Sequence, residues 1–112
     1  MKITNYLILL FLTISVSAQA SGVPDVETIY AGEGHFYDID SKTNLPTPTE
    51  AKALREETLR EAKIIGMKDY GVNRFTIHDD TYQAVCTPPR FNYGYQRYMA
   101  TCLASVIISK SN

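Results

Sequence analysis

Two cysteines constrain this chain more than any other feature. Cys86 and Cys102 are equidistant from Gly94, and each lies in an apolar run of β-prone residues. A hairpin that turns near Gly94 brings the two side chains opposite each other on adjacent strands, close enough for a disulfide. Such a bond forms in an oxidising compartment. The chain has two cysteines in all, so the sequence predicts one disulfide and no thiol left for catalysis or metal binding.

The start of the chain has the pattern of a secretory signal peptide. Lys2 gives a positive start, Leu7 to Val16 form an apolar run, and Ala18-Gln19-Ala20 is typical of a cleavage site. The apolar run is shorter than the roughly 20 residues that span a membrane. We therefore expect residues 1–20 to be removed on export and residues 21–112 to form a single small domain in the periplasm or outside the cell. The residue directly after the predicted cleavage site is Ser21 and not cysteine, so we expect no lipid or membrane anchor on the mature chain.

The charge balance excludes some classes of function. The chain holds 11 Lys and Arg against 12 Asp and Glu. Because Lys2 belongs to the predicted signal peptide, the remaining segment carries a formal net charge of −2. This balance argues against an electrostatic nucleic-acid binder. The sequence also has no polybasic segment for anionic lipid.

The clearest local prediction is a helix that begins after Thr47. Thr47-Pro48-Thr49-Glu50 fits a capping box, with Thr47 as the N-cap, Pro48 at the first helical position and Glu50 three residues after the cap. Either Gly66 or Gly71 ends the helix, and we favour Gly71. The helical period predicts a buried stripe that consists of Ala51, Leu54, Thr58 or Leu59, Ala62 and Ile65.

Three predicted strands accompany this helix. Val26 to Ala31 form the first, and His35 to Ile39 either prolong it past a glycine bulge or pair with it as a short hairpin. Val72 to Cys86 change phase at Asp79-Asp80, which predicts a bulge there. Tyr98 to Ser109 carry apolar residues on both faces, so we expect a central strand, part of which is covered on both sides.

The order of these elements is strand, helix, strand, strand. This order, β-α-β-β, predicts an α+β fold. We expect a three- or four-stranded, mostly antiparallel sheet with the helix packed on one face and with the Cys86–Cys102 disulfide between the last two strands.

The same pattern resembles a group of small exported bacterial modules. The stretches that carry the resemblance are YAGEG, AKALREETLREAKIIG, YGVNRFTI and RYMATCLASVIISK. A glycine-marked first strand, an Ala-rich helix, a glycine before the next strand and a final small-residue strand also occur in periplasmic stress proteins of the YhcN type, in the N-terminal domain of the flagellar assembly protein T and in the surface sensor lipoprotein of the Rcs phosphorelay. The resemblance implies a non-enzymatic envelope module. It transfers no functional residue, and the chain lacks the lipid-bearing cysteine and second disulfide of the sensor lipoprotein.

The predicted binding site is the tip of the last hairpin. Pro88 to Arg97 read PPRFNYGYQR, and Tyr and Arg are the residue types enriched in binding hot spots. The two prolines and the nearby disulfide restrict the tip, which lowers the entropy lost on binding. The alternative is that the aromatic side chains fold back on the sheet or lie along a long hairpin without a binding role. The predicted anchors are Arg90, Phe91, Tyr93, Tyr95 and Arg97.

Other chemistry has weaker support in the sequence. His78-Asp79-Asp80, with His35, Asp38 and Asp40, combines metal-binding residue types, but the spacing matches no ligand motif. The chain has no G-x-S-x-G elbow and no glycine-rich phosphate loop. We therefore predict a non-enzymatic protein without metal or cofactor that binds another envelope protein or an envelope component. The alternative is a periplasmic inhibitor or immunity protein that blocks a toxin or hydrolase.

Overall fold

The computed structural model describes residues 22–112, so the predicted signal peptide lies outside the described residues. Within this range the fold is α+β, with one helix and an antiparallel sheet of six strands. In chain order the elements are β1 (Val26–Ala31), β2 (Phe36–Asp40), β3 (Leu45–Pro46), α1 (Pro48–Asp69), β4 (Phe75–Cys86), β5 (Arg90–Asn92) and β6 (Arg97–Lys110).

The sheet is built around β6. β1 and β2 follow one edge of β6, and β4 and β5 follow its other edge, all antiparallel. β2 pairs with β6 and not with β1, so the two strands do not form a hairpin. Instead, β2 lies beyond β1 along the same edge of β6. β3 extends the sheet by pairing with β2.

The expected number of three or four strands is wrong, because both edges of the sheet are interrupted. On one edge the chain turns between β1 and β2, where the His35 N–H donates to the Gly32 carbonyl at 3.2 Å. On the other edge Pro88 and Pro89 separate β4 from β5, since proline has no N–H to donate to the ladder. The predicted order of strands and helix is otherwise retained.

The bulge predicted at Asp79-Asp80 is confirmed. His78 lies opposite Ile107 and Gln83 lies opposite Ser105, so that four residues of β4 stand against a single residue of β6. The Thr81 side chain closes the gap, because its Oγ1 donates to the His78 carbonyl at 2.6 Å and accepts from the Ile107 N–H at 2.9 Å.

The predicted disulfide is confirmed as well. Beyond the bulge, β4 and β6 return to regular pairing, and Cys86 lies directly opposite Cys102 with a Cα–Cα distance of 4.0 Å. Residues opposed so closely form a non-hydrogen-bonded pair of an antiparallel ladder. The bond therefore joins the two strands at a point where no backbone hydrogen bond does.

The helix has the predicted ends but only half of the predicted capping box. Thr47 Oγ1 accepts from the Glu50 N–H at 3.4 Å, as expected. The Glu50 carboxylate, however, accepts from the Asp38 N–H at 3.0 Å and so ties the start of the helix to β2. The helix ends at Asp69, and Gly71, with φ of +104°, donates to the Met67 carbonyl. Gly71 is therefore the stop.

The predicted buried stripe of the helix is confirmed at Leu54, Thr58 and Ala62 and is wrong at its two ends. Ala51 is exposed and Ile65 only half-buried, because the contact with the sheet follows the i, i+4 row of the helix. Gly66 belongs to this row, and a Cβ added there would overlap the Phe75 ring. The buried helix residues are Leu54, Thr58, Ala62 and Gly66, and they face the buried side of β6, formed by Ala100, Cys102, Ala104, Val106 and Ile108.

The other face of β6 is buried at Met99, which is 7 % exposed, and is open further along the strand. Leu103 on this face is exposed, and so is Val85, which lies opposite it on β4. The expectation of a central strand is confirmed, and coverage on both sides is limited to the part of β6 near Met99 and Ala100. The one helix of the described chain packs on the opposite face.

Replacement of Gly66 by alanine should destabilise the fold, although the same change inside a helix normally stabilises it by about 1 kcal/mol. The added methyl group meets the Phe75 ring, and overpacking costs about 1–3 kcal/mol. We expect Gly66→Ala to lower the free energy of unfolding by about 1–2 kcal/mol in urea denaturation. In a Phe75→Leu background the same substitution should cost less, and an equal cost in both backgrounds would contradict the assigned contact.

Candidate functional site

The final hairpin extends past the helix because β6 is longer than α1. The 14 residues of β6 span roughly 46 Å at about 3.3 Å per residue. The 22 residues of α1 span roughly 33 Å. Leu54, near the start of the helix, lies in one buried cluster with Cys102. The first residues of β6 therefore lie beyond the helix, together with β5.

The turn of this hairpin holds two tyrosines in solvent. The Asn92 carbonyl accepts from the Gln96 N–H at 2.6 Å, and Asn92 Oδ1 accepts from the Tyr95 N–H at 3.1 Å. Gln96 has φ of +60°, which reverses the chain into β6. Both turn tyrosines are exposed, Tyr93 by 82 % and Tyr95 by 59 %.

Phe91 is the centre of the aromatic contacts. It lies directly opposite Tyr98 in the ladder, and their ring centroids are 5.4 Å apart in an edge-to-face arrangement. The Phe91 and Tyr93 centroids are 4.9 Å apart in a similar arrangement. Phe91 is 40 % and Tyr98 60 % exposed. The rings therefore contact each other and remain open to solvent, and they do not fold back into the core.

Tyr98 is the residue that the sequence reasoning missed. By alternation it shares a face with Ala100 and Cys102, which are both buried, and it was not among the predicted anchors. Its position along β6 lies beyond the helix, so nothing in the described chain buries it. The signal for its exposure in the sequence is the predicted last strand, which is longer than the predicted helix.

We call this surface the aromatic tip and define it as Arg90, Phe91, Tyr93, Tyr95, Arg97 and Tyr98. Its two arginines differ in their surroundings. Arg97 donates to Asp38 Oδ2 at 3.0 Å across to β2, whereas Arg90 lies in the wall of a groove with Phe36 and Met99. The Arg97–Asp38 pair is largely exposed, so it contributes at most about 1 kcal/mol to stability. Its main effect is to fix the direction of Arg97.

The candidate metal ligands are not brought together. His78 lies opposite Ile107, where its Nε2 is 2.7 Å from Ser109 Oγ. His35 immediately precedes Phe36, which lies opposite Thr101, several residues away along β6. Across residues 22–112 no three His, Cys, Asp or Glu side chains are grouped so that they could hold a metal ion.

A second polar cluster lies at the opposite end of the molecule, where no motif pointed to it. Burial raises the pKa of Glu27, and the neighbouring Asp69 carboxyl raises it further. Burial also raises the pKa of Tyr70 to about 12, with a further contribution from Glu27. The Tyr70 hydroxyl donates to the Pro24 carbonyl at 2.6 Å. We interpret this cluster as a tie between the end of α1 and the start of β1.

Comparison of the chain with protein-family models, curated protein sequences and solved structures finds no significant match. The resemblance to small exported envelope modules therefore stays a prediction. No helix of the described residues is long and apolar enough to cross a membrane. Arguments about function accordingly begin from the aromatic tip.

The turn of the tip provides a direct test of its backbone. Gln96 has a left-handed conformation, which costs a non-glycine residue about 1–2 kcal/mol. Glycine removes this cost but also gains conformational entropy in the unfolded chain, so we expect Gln96→Gly to raise the free energy of unfolding by about 0.5–1 kcal/mol. The matched control is Gln83→Gly, at an exposed position of the extended strand β4. There glycine relieves no strain, so the free energy of unfolding should fall by a similar amount. Denaturant unfolding of both variants measures the difference, and destabilisation by Gln96→Gly would contradict the turn geometry.

Proposed function

We propose that this protein is a small non-enzymatic binding module of the bacterial periplasm, or a secreted one, that recognises another envelope protein through the aromatic tip. The observation that carries the proposal is the exposure of four aromatic side chains on a hairpin that projects past the helix. Three of them, Phe91, Tyr93 and Tyr98, contact one another through Phe91. A contiguous patch of exposed apolar side chains on a soluble protein commonly marks an interaction surface.

The energetics of the tip favour binding. Full burial of one large apolar side chain contributes about 1.5–3 kcal/mol, so two or three of these rings supply most of the affinity of a micromolar complex. The Asn92 hydrogen bonds and the contacts of Phe91 order the tip before a partner arrives. Because the tip is already ordered, it loses less conformational entropy when it binds a partner.

The charge of the tip limits the kind of partner. Arg90 and Arg97 are its charged residues, and no Asp or Glu occurs between Pro88 and Lys110. Arg97 already has a carboxylate partner in Asp38, which leaves Arg90 available for an acidic or carbonyl group. The fitting partner is a protein surface with an apolar pocket for an aromatic ring and an acidic rim.

Two features support export. The pattern of residues 1–20 is that of a signal peptide, and the chain carries a disulfide, which persists in oxidising compartments. The alternative function, inhibition of a toxin or hydrolase, would use the same tip. It predicts that the partner recovered with the tip is such an enzyme.

The proposal is tested by replacing the predicted ring anchors and recovering partners from periplasmic extracts. Phe91→Ala, Tyr93→Ala and Tyr95→Ala in one variant should leave the thermal unfolding cooperative and abolish recovery, because the rings contribute area to the partner and little to the core.

The control replaces three exposed apolar residues away from the tip, namely Ile64, Met67 and Val72, by alanine. This variant should recover the partner as the unmodified protein does. Equal recovery by the tip variant would show that the aromatic tip is not the binding surface.

A further inference from the structure

A groove lies beside the aromatic tip, where β6 is flanked by β2 and β5. It has a volume of about 600 Å³, which is within the range of roughly 300–1,000 Å³ typical of ligand sites. Met99 and Thr101 of β6 form its floor, Phe36 of β2 lines one side, and Pro88 to Arg90 line the other. We call this site the tip groove.

The centre of the tip groove is apolar. Met99 is 7 % exposed and closes the floor, whereas the Phe36 ring beside it is 54 % exposed. Pro88 is exposed on the other side, and its ring is rigid and apolar. The tip groove therefore offers a seat for one apolar side chain between an aromatic ring and a proline ring.

The polar side chains of the tip groove present mainly hydrogen-bond donors. Thr87 Oγ1 accepts from the Thr101 N–H at 3.1 Å and from the Thr101 hydroxyl at 3.3 Å, so its own O–H is left to donate. Asn92 Oδ1 accepts from the Tyr95 N–H, which leaves the two N–H groups of its amide. Arg90 has donors only, is exposed, and has no hydrogen bond or ion pair to an acceptor side chain among residues 22–112. A ligand that complements these groups carries acceptors.

Nearby carboxylates determine where a negative charge of the ligand fits. Asp38 lies across β6 from Arg90, but Arg97 donates to its Oδ2 at 3.0 Å, so that pair is neutral and Arg90 supplies the net charge. No Asp or Glu is among the residues that line the tip groove. Glu33 lines the neighbouring hollow of the sheet, where it repels a second carboxylate. A negative group is therefore favoured at the Arg90 end.

We propose that the tip groove binds an extended segment of the partner protein in which an apolar side chain and a carboxylate lie two residues apart. Such side chains point the same way in an extended chain, about 7 Å from each other. The apolar side chain sits between Phe36 and Pro88 while the carboxylate reaches Arg90. Arginine makes its strongest, bidentate hydrogen bonds with carboxylates. The inference rests on the proposed function, because the segment belongs to the protein that the aromatic tip recognises.

Peptide titrations followed by the amide chemical shifts of the ¹⁵N-labelled protein test this inference without the partner. The probe is acetyl-Leu-Ala-Glu-Ala-Leu-amide, which carries the apolar and acidic side chains two residues apart in both directions. It should bind with a dissociation constant on the order of 1 mM and shift the amides of Thr87, Met99 and Thr101. The matched peptide with Gln for Glu should bind about fivefold more weakly, and so should the peptide with Ala for both Leu.

The variant Arg90→Gln should bind the Glu and Gln peptides equally, since the guanidinium is the group that distinguishes them. The control is Arg74→Gln, which removes the same charge from an exposed position near the other end of the sheet. It should keep the fivefold preference. Equal binding of the two peptides by the unmodified protein would overturn the proposal, as would a preference retained by Arg90→Gln. Shifts confined to residues outside the tip groove would overturn it too.

Two further measurements separate this inference from its alternatives. Acetyl-leucine, which carries its carboxylate on a chain end, should bind more weakly than the Glu peptide, and tighter binding would overturn the choice of an internal segment. Partner recovery by Arg90→Gln should fall as peptide binding does. Unchanged recovery by Arg90→Gln, together with loss in the alanine variant of Phe91, Tyr93 and Tyr95, would overturn the groove assignment and leave the proposed function standing. Peptide selectivity with unchanged recovery by the alanine variant would support the groove and contradict the proposed function alone.

Discussion

The pairing of β6 with strands on both of its edges is the interaction on which the other parts of the structure depend. β6 supplies the ladder for β1, β2, β4 and β5, and its inner side is the surface on which α1 packs. The disulfide reinforces this ladder near the start of α1, because Cys102 lies in one buried cluster with Leu54, which is close to the first turn of the helix. Closing a loop of 16 residues contributes about 3 kcal/mol on the chain-entropy model.

A single helix on a longer strand leaves two kinds of surface uncovered. Past the end of the helix, the aromatic side chains of the hairpin are exposed, and the aromatic tip occupies that region. Along the body, the sheet face away from the helix leaves Val85 and Leu103 exposed.

Local signals predicted the parts of the fold that local chemistry controls. Thr47 and Gly71 mark the helix ends through short-range hydrogen bonds, and the symmetry of the cysteines about Gly94 fixed the pairing of β4 with β6. The exposure of Val85 and Leu103 was not predictable, because alternation shows which residues share a face and not whether a layer lies on it. Tyr98 was missed for a related reason, since its exposure depends on where the helix begins relative to β6.

The disulfide supports the projecting hairpin, whereas helix packing supports the body of the sheet. Residue-resolved amide hydrogen exchange of the folded protein, compared with a Cys86→Ala, Cys102→Ala variant, separates the two contributions. In the variant, protection from Arg97 to Thr101 should fall nearly to that of a free peptide, while Val106 and Ile108 remain protected beneath α1. Unchanged protection of the hairpin, or loss of protection along the whole of β6, would refute this division of roles.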